Sequence, residues 1–129
     1  MSGGSKLTKI TDGAVSFDGS GDYLSLADSD DWNLGSGDFT IEAFVYGNSF
    51  GSYEGIVGQW PQSGGNVANS FVLEAVGGDL EFYYSVGSTQ YGPIQGATLT
   101  PKKWHHVAAV RSGNTMYMFV DGVMYGSGS

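Results

Sequence analysis

The residues able to do chemistry are few and lie in separate stretches. Glu74 and Glu81 flank a Gly77-Gly78-Asp79 turn, and Tyr83 follows Glu81 by two positions. Around them Phe71, Leu73 and Ala75 alternate with Val72 and Glu74, and Leu80, Phe82 and Tyr84 alternate with Glu81, Tyr83 and Ser85. Period-two alternation on both sides of a glycine turn predicts an antiparallel pair, and its register puts Glu74, Glu81 and Tyr83 on one face. Carboxylates accept hydroxyl hydrogens and flat rings stack on the C–H faces of sugars, so such a row has the chemistry of a glycan site. The same row also suits an ordinary solvated sheet face. Trp60 and His105, chosen for chemistry and expected outward direction, and Tyr53 and Tyr91 from flanking loops complete the candidate contacts.

The run Asp18-Gly19-Ser20-Gly21-Asp22 is a second candidate. Its carboxylates suit two tasks. One is capping turn amides, the favoured reading; the other, with Asp28, Asp30 or Asp31, is offering hard oxygen ligands to Ca2+. The spacing is not the alternating acidic pattern of a calcium loop. His105 and His106 are adjacent, and adjacent strand residues point to opposite faces, so they do not chelate one ion together. Without cysteine there is no disulfide, thiolate nucleophile or thiolate metal site. No Gly-x-Ser-x-Gly elbow, phosphate loop or zinc signature occurs. The expectation is a protein that is not an enzyme and requires no cofactor, with Ca2+ at Asp18 and Asp22 as the metal option.

The elements that must position these groups are strands. The chain of 129 residues suffices for one domain, and 40% hydrophobic with 14% aromatic content supports a core. Charged residues are 14% and glycines number 22, which fits short strands joined by many turns. A formal charge of −8 repels nucleic acid and offers nothing to an anionic membrane surface, so neither is an expected partner. Residues 1–6 lack the apolar centre of a secretory signal, and no run approaches membrane-spanning length, which predicts a soluble protein. Residues 1–5 and 126–129 read as linker ends, with the domain over 6–125.

In chain order, residues 6–10 form a short edge strand, and 14–17 pair with 23–26. Trp32 is expected to plug one end of the core. Phe39, Ile41, Ala43 and Val45 share a core face, opposite Thr40, Glu42, Phe44 and Tyr46. Residues 56–60 form a strand before the loop 61–66. Residues 103–111 and 115–120 form a hairpin across Ser112-Gly113-Asn114, and Asp121-Gly122 returns the chain as a third strand over 123–125. Trp104 and His106 share a face, with the indole packed. Met116, Met118 and Val120 form one stripe, with Tyr117 and Phe119 on the other side.

The Trp104-His105-His106-Val107-Ala108 run, its hairpin and the Val120-Asp121-Gly122 ending resemble the laminin-G-like domains of the concanavalin A-like lectin/glucanase superfamily. The Val15-Ser16-Phe17-Asp18-Gly19-Ser20-Gly21-Asp22-Tyr23-Leu24 stretch is similar to that family's opening hairpin. The Gly37-Asp38-Phe39-Thr40-Ile41-Glu42-Ala43-Phe44-Val45 stretch is similar to its next long strand. The resemblance implies an all-β, antiparallel jelly-roll sandwich, with the Met116 stripe facing the core. It also implies a chain that lacks the family's final strands. Edge residues Val15, Phe17, Val123 and Tyr125, with the outward Tyr117 and Phe119, would then meet another copy in a homo-oligomer or strand-exchanged assembly. The compact Glu-x-Asp-x-x-Glu pattern of the glucanase relatives does not occur at Glu42, Glu74 or Glu81.

The resulting expectation is a non-catalytic, lectin-like module binding a glycan or polysaccharide, displayed extracellularly or on a virion surface. Similar repeats occur in bacterial adhesins and bacteriophage appendages. The alternative is a structural subunit that assembles with copies of itself.

Overall fold

A computed structural model describes residues 8–11, 13–27, 29–60 and 68–128. The expectations for residues 1–7, Asp28, the loop 61–66 and Ser129 lie outside the described residues. The chain divides into two units, Met1–Trp32 and Asn33–Ser129.

In the first unit β1 (Thr8–Thr11) pairs antiparallel with β2 (Ala14–Ser16), Lys9 opposite Val15. This corrects the expected pairing of 14–17 with 23–26. Gly13, at φ 118°, turns the chain directly from one β-branched segment into the next. The longer run after β2 closes on itself instead: the Asp22 carboxylate accepts the Asp18 amide (3.0 Å) and the Asp18 carboxylate accepts the Ser20 amide (2.7 Å). Tyr23, Leu24 and Leu26 are exposed and form no strand. A short 3-10 helix, Asp30–Trp32, ends the unit. Trp32 is not the expected buried plug: it is half exposed, and its indole N–H donates to the Ala27 carbonyl (3.2 Å).

The second unit contains two four-stranded antiparallel sheets. One has the order β10-β9-β8-β3, built from β3 (Phe39–Tyr46), β8 (Trp104–Ser112), β9 (Thr115–Val120) and β10 (Val123–Gly128). The other has the order β4-β5-β6-β7, built from β4 (Glu54–Gln59), β5 (Phe71–Val76), β6 (Asp79–Val86) and β7 (Thr89–Thr98). Alternation delivers Leu73, Ala75, Leu80, Phe82 and Ile94 from one sheet, and Val107, Ala109, Met116, Met118 and Val120 from the other, into one shared core. Phe39, Ile41, Ala43 and Val45 pack against it, as their alternation predicts. Burying each large apolar side chain stabilises the pair of sheets by roughly 1.5–3 kcal/mol.

The Asp121-Gly122 turn has φ of 51° and 79°, the two left-handed positions that suit a two-residue hairpin. β10 then runs to Gly128, beyond the expected end at Tyr125, with an irregularity in register between Met124 and Gly126. Residues 126–128 read as linker because they are Gly and Ser, yet here glycine answers a packing demand. A Cβ on Gly126 would stand 2.1 Å from the Gln95 carbonyl oxygen of β7, so β10 approaches the facing sheet at a distance only glycine permits.

Candidate functional site

The outer face of the β4–β7 sheet brings the first group of candidates together. β5 and β6 pair with Glu74 opposite Glu81 and Val72 opposite Tyr83, the register that alternation predicts. The β6–β7 ladder adds Gln95 opposite Glu81. Glu81 accepts the Tyr83 hydroxyl at one oxygen (3.2 Å) and the Gln95 amide at the other (3.2 Å). Burial pushes the Tyr83 phenol upward, and the Glu81 charge and its hydrogen bond add to the push. Tyr53, 77% exposed in the loop before β4, lies close enough to interact electrostatically with Tyr83. Burial, then the charge of Glu81, raises the Glu74 carboxyl above its ordinary value. The result is an oriented acceptor, a second carboxylate beside it and two phenol rings on a pleated platform.

Other predicted contacts fall elsewhere. Tyr91 pairs with Tyr84 across β6–β7 and stacks on its ring, centroids 5.2 Å apart and 12° from parallel. Tyr84 packs against the core, so Tyr91 stands on the opposite side of the sheet from Glu81. His105 is not outward: it is 4% exposed and belongs to the other sheet. Its Nδ1 lies 2.9 Å from the Asp121 carboxylate, and its Nε2 accepts the Thr100 amide (3.0 Å). It is a buried polar staple between the chain entering β8 and the turn after β9. Trp60, half buried, follows the last residue of β4.

Asp18 and Asp22 cap turn amides, as the capping reading has it, and Asp31 accepts the Ser29 hydroxyl (3.1 Å). Among the described residues no group of three or more His, Cys, Asp or Glu side chains is gathered in a way that could hold a metal. Of the residues expected at self-contacts, Val15, Phe17, Val123 and Tyr125 are exposed, whereas Tyr117 and Phe119 are half buried.

Sequence reasoning missed three features. Gln95 lies in a β7 segment whose Gly and Pro hide the strand period, so nothing marked its partnership with Glu81. Asp121 reads as a turn residue, yet its carboxylate takes the His106 amide (3.0 Å) as well as His105. That amide, then His105, hold the Asp121 carboxyl below its usual range. The third feature is the outer face of the β3–β8 pair. Tyr46 and Trp104 are ring neighbours at 5.6 Å, Phe44 and His106 at 4.9 Å, and His106 Nε2 lies 2.9 Å from Glu42. Trp104 was expected to be packed and is 45% exposed; Phe44, on the face opposite the core, is 72% exposed. Trp104 opens β8 beside Tyr46, the last residue of β3, so the ladder end leaves both rings in solvent.

The family model of laminin G type, described as the concanavalin A-like lectin/glucanases superfamily, matches residues 18–129. The chain belongs to that superfamily, and its two antiparallel sheets agree with the jelly-roll sandwich. Membership suggests a carbohydrate-binding or adhesion-type module. No curated protein and no solved structure matched the chain.

Proposed function

We propose that this chain is a non-catalytic recognition module that binds a glycan across the outer face of β5, β6 and β7. One observation carries this reading: Glu81 is held by Tyr83 and Gln95 as a directed acceptor, and the exposed Tyr53 lies near Tyr83. Sugar recognition needs such a fixed acceptor for hydroxyl hydrogens together with an aromatic surface for C–H faces. A non-catalytic role fits the same geometry, since Glu81 is engaged by two neutral donors and Glu74 has no described partner that would orient it as acid or nucleophile. Display on a cell or virion surface, as in an adhesin, suits a module of this kind. Glycan-array binding tests the reading: saturable binding that Tyr83→Ala abolishes supports it, and an empty array removes it. Release of reducing sugar from β-glucans that Glu81→Gln abolishes would replace it with a hydrolase.

A second reading, a self-assembling subunit, is favoured by the aromatic face of β3 and β8. Phe44, Tyr46 and Trp104 are exposed beside the β3 edge, which has no strand partner among the described residues. Exposed rings next to an open edge suit pairing with another copy. Sedimentation showing a monomer at micromolar concentration would count against it.

A further inference from the structure

The two carboxylates of the proposed glycan face are unequal. They stand directly opposite across the β5–β6 ladder, where facing side chains lie about 4.5–5.5 Å apart at Cβ and like charges repel. Glu81 receives two donors, from Tyr83 and Gln95. Glu74 accepts no hydrogen bond from any described residue, and no described Lys, Arg or His forms an ion pair with either glutamate.

The groups facing Glu74 offer no positive charge. β6 presents Glu81 and Tyr83, with Asp79 at its start hydrogen-bonded to Thr98 of β7. β4 presents Gly55 as the ladder partner, while Glu54 accepts the Gly51 amide (2.7 Å). Tyr53, in the loop before β4, lies near Tyr83, and β7 contributes an amide, Gln95.

We propose that Glu74 is the proton-accepting member of the pair, and that the face meets its ligand with Glu74 as a hydrogen-bond donor beside Glu81 as an acceptor. The inference rests on the glycan reading and gives that site a specificity. A sugar ring or hydroxyl oxygen accepts from Glu74 while a neighbouring hydroxyl donates to Glu81. A neutral sugar lying on the face also removes water from both carboxylates, which disfavours the second charge, so binding takes up a proton and strengthens with acidity.

Carbon-13 NMR titration of the side-chain carboxyls of the full chain tests this without any sugar. Glu74 is expected to titrate above the ordinary glutamate value of 4.5, and Glu81→Gln is expected to bring it back toward that value. A Glu74 midpoint at or below 4.5, or one that Glu81→Gln leaves unmoved, overturns the proposal. If Glu81→Gln does not fold, Glu74→Gln serves, because it removes the repulsion and keeps a donor. Its thermal midpoint at about pH 7.5 should rise by roughly 1–4 °C and lose the wild-type climb with acidification. An unchanged midpoint and slope would also overturn the proposal. A raised Glu74 midpoint with an empty glycan array removes the glycan reading but leaves proton uptake at Glu74 standing; an ordinary midpoint with sugar binding does the reverse.

Discussion

The outer faces of the two sheets are built on one core and carry opposite chemistry. On the β4–β7 sheet, Glu81 is held by the Tyr83 hydroxyl of its own strand and by the Gln95 amide across the β6–β7 ladder, with Glu74 opposite. On the β3–β8 pair, rings meet at tilts of 47° and 54°, with one His–Glu pair among them. Directed polar groups read the positions of a ligand's hydroxyls, whereas an apolar ring surface gains mainly from area removed from water. Under the readings proposed above, the first face is the selective glycan surface and the second the surface for self-association.

Breaking the shared core should disturb both faces at once and gives the largest effect. Phe82→Ala removes a fully buried ring and should cost about 3–5 kcal/mol, read as a lower urea midpoint. Gly126→Ala comes next. Its Cβ would collide with the Gln95 carbonyl, so a loss of about 1–3 kcal/mol is expected, with the Gln95–Glu81 contact perturbed in side-chain amide NMR. His105→Ala leaves the Thr100 amide without its acceptor and should cost about 1–3 kcal/mol while leaving the β4–β7 face intact.

Acid separates the two sheets by sign. Glu74 has a folded pKa above 4.5, so its charge destabilises the fold at neutral pH and the thermal midpoint should climb as pH falls through that raised value. Asp121 has a folded pKa below 3.8, so its contribution is present above 3.8 and is lost as pH falls below that through the lower folded value. A thermal midpoint followed against pH should therefore rise and then fall. Glu74→Gln flattens the first limb, and Asp121→Asn the second.

The smallest stability effects should come from exposed side chains. Tyr53→Ala should change stability within about 0.5 kcal/mol while weakening sugar binding. Trp104→Ala removes a ring contact worth about 0.5–1.5 kcal/mol; reduced self-association in sedimentation would assign its face to copies of the chain.

Much of this architecture was legible because β-branched and aromatic residues alternate cleanly. Phe39 to Tyr46 and Met116 to Val120 declare their faces in sequence, and the Gly77-Gly78 turn fixes Glu74 opposite Glu81. The errors share a cause: period-two reasoning gives a side chain's direction relative to its strand, while exposure depends on the neighbouring elements. His105 lies on the same side of β8 as the core residues Val107 and Ala109, where Asp121 and Thr100 satisfy its ring nitrogens, and Tyr91 is claimed by the Tyr84 ring. Gly126 looked like a linker because a close approach between β10 and β7 has no signature except glycine itself. The pairing of β2 with β1 turned on loop length, where the short connection through Gly13 prevailed over the capped Asp18–Asp22 turn.

The most direct test compares glycan-array binding of the wild-type chain with Glu81→Gln, Tyr83→Ala and Trp104→Ala. Saturable binding weakened about 10-fold or more by the first two, the loss of one or two hydrogen bonds to a charged group, and unchanged in the third, is what the polar face predicts. Binding that survives Glu81→Gln and Tyr83→Ala but disappears in Trp104→Ala would contradict it and move recognition to the aromatic sheet.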